Sequence, residues 1–186
     1  VQSPIRSPFL WETQRGDRWN MRAGFITSAG NDGKLQFRYT DSSGTVTWLD
    51  LLTGLSSTRF NYTNFWDSTN VRAVLLAVNG AGGIWEWTGA VGTVSSATAT
   101  TIVLSGSLTT AQLGFYSSGS VIANGTTYTY SGVSGSTLTG VSPDPSSLTA
   151  STPVYQAPVF TAVGSMTFTT TPTPPTLPGD KPCTAT

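Results

Sequence analysis

The 186-residue chain contains no histidine. That single absence removes Ser-His-Asp and Cys-His nucleophile systems, imidazole metal sites and histidine acid–base work together. Cysteine occurs once, as Cys183 close to the C-terminus. No internal disulfide can form, and no zinc site can be built from paired thiolates. Charge is scarce: charged residues make up 10% of the chain, against roughly 25% in an ordinary globular protein. The nine basic and nine acidic residues cancel. Without a basic footprint there is nothing to displace counterions from phosphates, so nucleic acid is not an expected partner. Without net charge there is no long-range steering of a charged ligand. Apolar runs never reach the roughly 18 residues of a membrane-spanning helix, so no membrane partner is expected. Proline is missing between Pro8 and Pro143, then occurs nine times from Pro143 to the end. Proline removes a ladder donor, so the long proline-free stretch suits continuous sheet.

What the chain does have is hydroxyls and rings. Serine and threonine are roughly 30% of the residues, and aromatics are 11%. Polarity therefore comes mostly from uncharged groups, and the aromatic content is too high for a disordered chain. The composition changes after Trp87. Fifteen of the eighteen charged residues and all six tryptophans lie in residues 1–87. This division predicts a Trp-rich antiparallel β-module over 1–90 and a Ser/Thr-rich β-hairpin module over 91–157. A Pro/Thr-rich extended arm or tail is expected over 158–186. The Val-Gln-Ser start, with no methionine or leader pattern, is read as a processed product or the ordered part of something longer.

In the first module "KLQFRYT" (34–40) puts Leu35, Phe37 and Tyr39 on one face and Lys34, Gln36, Arg38 and Thr40 on the other. This period of two marks a half-buried strand. "GNDG" (30–33) before it and "DSSG" (41–44) after it are turn signals. Residues 25–51 thus read as a three-stranded meander. "RFNYTNF" (59–65) is a further strand, and the nearly all-apolar "VRAVLLAVNG" (71–80) a central one buried on both faces. In "AGGIWEW" (81–87), Trp85 and Trp87 share a face and Glu86 points the other way.

The second module alternates small and branched residues in "SSATATTIVLSG" (95–106). "SLTTAQLGF" (107–115) is the one place for a helical turn, with Ser107 or Thr109 as cap and Gly114 as terminator. "VIANGTTYTY" (121–130) reads as a hairpin with a type I′ turn at Asn124-Gly125, which requires positive φ at both positions. Tyr128 and Tyr130 lie on one face, Thr127 and Thr129 on the other.

Chemistry is sparse. Asp50, Asp67 and Glu86 are the carboxylates that a two-carboxylate glycosidase would need, but nothing in their spacing brings them together. Glycines are scattered through turns, with no phosphate-binding loop. "GNDG" lacks the alternating oxygen ligands of a calcium loop. Arg15-Gly16-Asp17 is read as a loop with an internal ion pair. No catalytic residue, metal or cofactor is expected. Aromatic rings that stack on sugar are a second theme, with Trp85, Trp87, Tyr128 and Tyr130 as candidate glycan contacts.

Three stretches carry a resemblance. "MRAGF" (21–25) with its short hairpins, "LLAVNGAGGIWEWTGAV" (75–91) and "TTYTYSGVSGSTLTGVSPDP" (126–145) resemble elements of β-rich virion proteins of tailed bacteriophages, with alanine at 23 where the family element has proline. Some of those relatives resemble β-propellers, and the first part of this chain supplies about two blades of roughly 40–45 residues, too few to close a ring alone. The resemblance implies a non-enzymatic structural component of a virus particle, from a tail, neck or capsid surface. Its partners would be copies of itself, other virion proteins and, as the alternative, a host-surface glycan. Together with the patterning it sets the expected fold: all-β, antiparallel meanders forming a sandwich, barrel-like or partial-propeller module, then a second small β-module and an extended C-terminal arm.

Overall fold

In a computed structural model, residues 6–13, 15–25, 32–67, 72–80 and 83–162 are described. Of the expected arm or tail over 158–186, residues 163–186, Cys183 included, lie outside them. Among the described residues, fifteen strands and one helical turn make an all-β fold of three antiparallel sheets, none closed into a barrel. The first sheet is a meander of β1 (Arg6–Glu12), β2 (Arg18–Phe25), β3 (Gly33–Thr40) and β4 (Val46–Leu55), in that order. The second contains β5 (Asn61–Asp67), β6 (Arg72–Val78) and β7 (Gly83–Trp87), with β15 (Val159–Ala162) added beside β7. The chain leaves this sheet after β7, builds the whole third sheet and then returns.

The third sheet has seven strands, more than hairpins alone. They are β8 (Val91–Ala97), β9 (Thr101–Leu104), β10 (Gly119–Ala123), β11 (Thr126–Tyr130), β12 (Gly132–Ser134), β13 (Thr137–Thr139) and β14 (Pro153–Gln156). Their order across the sheet is β11-β10-β14-β8-β9-β13-β12. The alternating run 95–106 conceals a turn, so β8 and β9 pair with each other. The stretch from 158 onward does not begin as a free arm. β15 pairs residue by residue with β7, Val159 against Glu86 through Ala162 against Gly83.

Local chemistry explains several of these elements. Asn124 has φ 48° and Gly125 φ 75°, the left-handed pair that a tight hairpin of this twist needs. The helical turn α1 (Thr110–Leu113) starts at Thr109, whose hydroxyl accepts from the Gln112 amide at 3.2 Å. The Gln112 side chain accepts from the Thr109 amide at 2.9 Å, completing a capping box. Gly114, at φ 91°, ends the turn.

The first two sheets face each other across a core of rings. Trp87 sits at its centre, with the rings of Phe37, Trp11 and Trp19 at 5.0, 5.5 and 6.2 Å. Leu35, Met21, Leu51, Leu75 and Ala77 fill the space around them. Such ring pairs contribute about 0.5–1.5 kcal/mol each beyond their burial. The central strand β6 buries both Val74 and Leu75, one on each face. The third sheet has its own core of Val94, Ile102, Leu104, Val121, Leu138 and Val154, joined by Tyr128 and Tyr130.

Candidate functional site

Three places bring polar or open aromatic side chains together. The first is the junction between the ring core and the third sheet, organised by Gln156 at the end of β14. It is 1% exposed, and both ends of its side-chain amide are hydrogen-bonded. The Gln156 Oε1 accepts from the Tyr130 hydroxyl at 2.9 Å and from the Tyr116 amide at 3.2 Å. Its Nε2 donates to the Ser120 carbonyl at 2.7 Å. Its own carbonyl accepts from the Trp87 indole at 2.9 Å. Beside it the Tyr155 hydroxyl donates to the Asp50 carbonyl at 2.8 Å, tying β14 to β4. A buried polar network in which every member is satisfied fixes one geometry, because any slip strands a donor or acceptor.

Tyr116, in the loop after α1, extends this network to the outer face of the second sheet. Its hydroxyl donates to Glu86 Oε1. The Arg72 guanidinium lies 4.7 Å from the Tyr116 ring centre and donates to the Gly114 carbonyl at 3.2 Å. Burial pushes the Tyr116 phenol well above its usual range, and the Glu86 carboxylate adds to that. Burial also pushes Tyr130 up, to about 12. These phenols stay protonated at physiological pH and act as donors. Beneath α1 a cleft of about 450 Å³ is lined by Arg15, Asp17, Arg72, Thr88, Gln112 and Phe115 among others. Arg15 is paired with Asp17 there and donates to the Gln112 carbonyl at 3.3 Å.

The third place is the outer face of the first sheet. The Arg22 guanidinium lies over the Trp48 ring, 4.0 Å from its centre. The Arg22 Nε donates to Gln36 at 2.8 Å, and Gln36 donates onward to Asp50 at 2.6 Å. Asp50 also holds Lys34. Burial pulls the Arg22 guanidinium somewhat below its usual range, opposed by Asp50. Alongside this ladder runs an open groove of about 490 Å³, with Pro8, Phe9, Leu10 and Asn20 on one side and Arg38 and Trp48 on the other.

The structure separates the candidate glycan contacts from solvent. Trp87 is 2%, Tyr128 5% and Tyr130 3% exposed. A ring buried to that degree offers no face to a sugar, so these three serve the cores. Trp85 is half-buried and covered by Phe160, with ring centres 4.9 Å apart. Phe160 in turn lies where a side chain on Gly83 would stand, 2.2 Å from an added Cβ. Alternation correctly placed each pair of rings on one face, but it does not say whether that face looks inward. Of the three carboxylates, Asp67 and Glu86 share the outer face of the second sheet, while Asp50 belongs to the first sheet and its ladder. Among the described residues no group of three His, Cys, Asp or Glu side chains could hold a metal ion. Gln156 escaped the sequence reading. Its only signal was one amide-bearing residue ending the apolar run "PVYQ".

No known protein family, curated protein or solved structure matches the chain. What stands in place of a family is the class that the fold defines: an all-β protein of three open antiparallel sheets.

Proposed function

We propose that the chain is a non-enzymatic structural component of a virus particle, from a bacteriophage tail, neck or capsid surface, whose work is assembly through its sheet margins and faces. The observation that carries this reading is the state of the second sheet's two edges. β5 exposes Phe65 and Trp66, and β15 exposes Val159 and Phe160, each between 46% and 54%. Within these strands there is no lysine, arginine or proline, and the single charge is Asp67 at the end of β5. Edge strands of monomeric proteins are normally blunted by such residues, because unpaired backbone groups beside apolar side chains invite another chain. The resemblance of three stretches to phage virion proteins supports the particle, and the sparse charge supports close association of copies.

An antibody raised against the purified chain, gold-labelled and imaged on virus particles from the organism that encodes it, tests the proposal. Label at a fixed place on the particle is the expected result. Label confined to free protein or to cells, with bare particles, overturns it.

A further inference from the structure

The outer faces of the first two sheets are unlike each other in a way that fits them together. On the second sheet, the segment Gly114–Tyr116 covers the end near Arg72 and Glu86, and Val74 there is 0% exposed. Among the described residues the rest of that face runs from half-buried at Leu76 and Ile84 to exposed at Phe65 and Val159. Register places Phe65 opposite Val74, Leu76 opposite Glu86 and Ile84 opposite Thr161, so Phe65, Leu76, Ile84 and Val159 share it. Phe65 stands out from it, 54% exposed. The charges on this face are Asp67, Glu86 and Arg72, an excess of one acid (two acidic, one basic).

The outer face of the first sheet has the opposite character. It carries Arg18, Arg22, Lys34 and Arg38 against Glu12 and Asp50, an excess of two bases (four basic, two acidic). Glu12 is paired with Arg18 and Asp50 with Lys34, so Arg22 and Arg38 carry the surplus. Arg38 makes no ion pair among the described residues. Both arginines border the 490 Å³ groove, whose apolar wall includes Leu10, 57% exposed. One face offers an aromatic knob beside Asp67; the other offers an apolar groove bordered by Arg38 and by Arg22, which is stacked on Trp48.

We propose that the Phe65 face of the second sheet docks into the Leu10–Arg38–Trp48 groove on the first sheet of another copy of this chain. The partner is a second copy because charge and shape complement each other between these two surfaces of one molecule. Face-to-face packing of sheets is also how the chain already joins its first sheet to its second, through their inner sides. The contact is head-to-tail: each copy keeps one unused knob and one unused groove. Repetition therefore gives a ring if the rotation closes and a filament if it does not. Buried apolar area supplies the attraction, and the arginine–acid match fixes the register. This inference rests on the assembly reading above and names its surface and partner.

Two substitutions at exposed positions block one surface each and leave the cores untouched: Phe65→Glu for the knob and Leu10→Glu for the groove. Far-ultraviolet circular dichroism and tryptophan fluorescence establish that both variants are folded. Light scattering after size exclusion then gives the mass of each alone and of an equimolar mixture. Each variant alone should lose self-association by at least tenfold, while the mixture forms one-to-one dimers, because each partner retains the surface that the other lacks. Wild-type assembly that persists in both variants overturns the head-to-tail contact and leaves the assembly reading standing. A variant that still dimerises by itself, or a mixture that stays monomeric beside an assembling wild type, also overturns it. A monomeric wild type whose antibody labels particles removes this inference alone; a monomeric wild type with bare particles removes both.

Discussion

Nine ring–ring contacts lie in or beside the core between the first and second sheets, Tyr155 of β14 included. The third sheet's own core is chiefly valine, isoleucine and leucine. The surfaces differ in the same sense. The first two sheets hold almost every charge, and the third turns threonine and serine outward. The comparison teaches that a chain with few charges can specify a fold in two ways. One is interlocking rings, whose shapes admit few arrangements. The other is short strands fixed by turn chemistry, where Asn124, Gly125, Thr109 and Gly114 each require a particular backbone. Gln156 joins the two, since its partners come from both sides.

The largest effect should come from Trp87→Ala, which removes the ring at the centre of the first core. The expected loss is about 3–5 kcal/mol. Because all six tryptophans precede residue 88, fluorescence reports the first two sheets and circular dichroism the whole fold. In urea the fluorescence transition of this variant should move to lower denaturant than the dichroism transition. Coincident transitions would show that the two cores are one cooperative unit and would dissolve the comparison. Gln156→Leu comes next. It strands the Tyr116 amide, while the Tyr130 hydroxyl keeps the Tyr116 carbonyl at 3.0 Å and the Ser120 carbonyl keeps the Ala157 amide at 2.9 Å. A cost of about 1–3 kcal/mol follows, the range for one stranded buried group. Both probes should shift together here, because the residue serves both sides.

Much of this was legible in the residues and some was not. The β3–β4 hairpin followed from the alternation of Leu35, Phe37 and Tyr39 and from the Asp41 turn, since period and turn are local properties; the first strand expected in 25–51 falls mostly on residues 26–31, outside the described ones, and β2 precedes it. The Gly114 stop, the Asn124-Gly125 turn and a cap at Ser107 or Thr109 were legible for the same reason, and the structure takes Thr109. Strand partnership was not. Nothing local in "PVYQ" says that β14 inserts between β10 and β8, or in "VFTA" that β15 crosses back to β7. Those choices are settled by burial over long sequence separations. The inward direction of a face was not legible for the same reason: Tyr128 and Tyr130 share a face as expected, and that face looks into a core.

Gly89→Ala probes the ring core more gently. Gly89 has φ 72°, and an added Cβ would stand 2.5 Å from the Trp11 ring. The expected cost is about 1–3 kcal/mol, read as a lower urea midpoint by fluorescence. Thr109→Ala, on the third-sheet side, should cost about 1 kcal/mol through the lost cap, and Thr109→Ser should restore it. Smallest at neutral pH, and visible only in alkali, is the effect of the buried phenols. Burial raises Tyr62, Tyr116, Tyr130 and Tyr155 above their usual range near 10. The unfolded chain therefore loses these protons first as pH rises. Stability should be level through neutrality and fall once pH passes about 10, continuing down through the folded-state values. A stability that rises over that interval would mean that the phenols are better solvated than their burial indicates.

The account rests on surfaces offered to identical neighbours. Sedimentation equilibrium of the intact chain over a wide concentration range measures this without any substitution. The account predicts a mass that climbs above 19.5 kDa toward whole-number multiples as concentration rises. A mass fixed at 19.5 kDa throughout would contradict it.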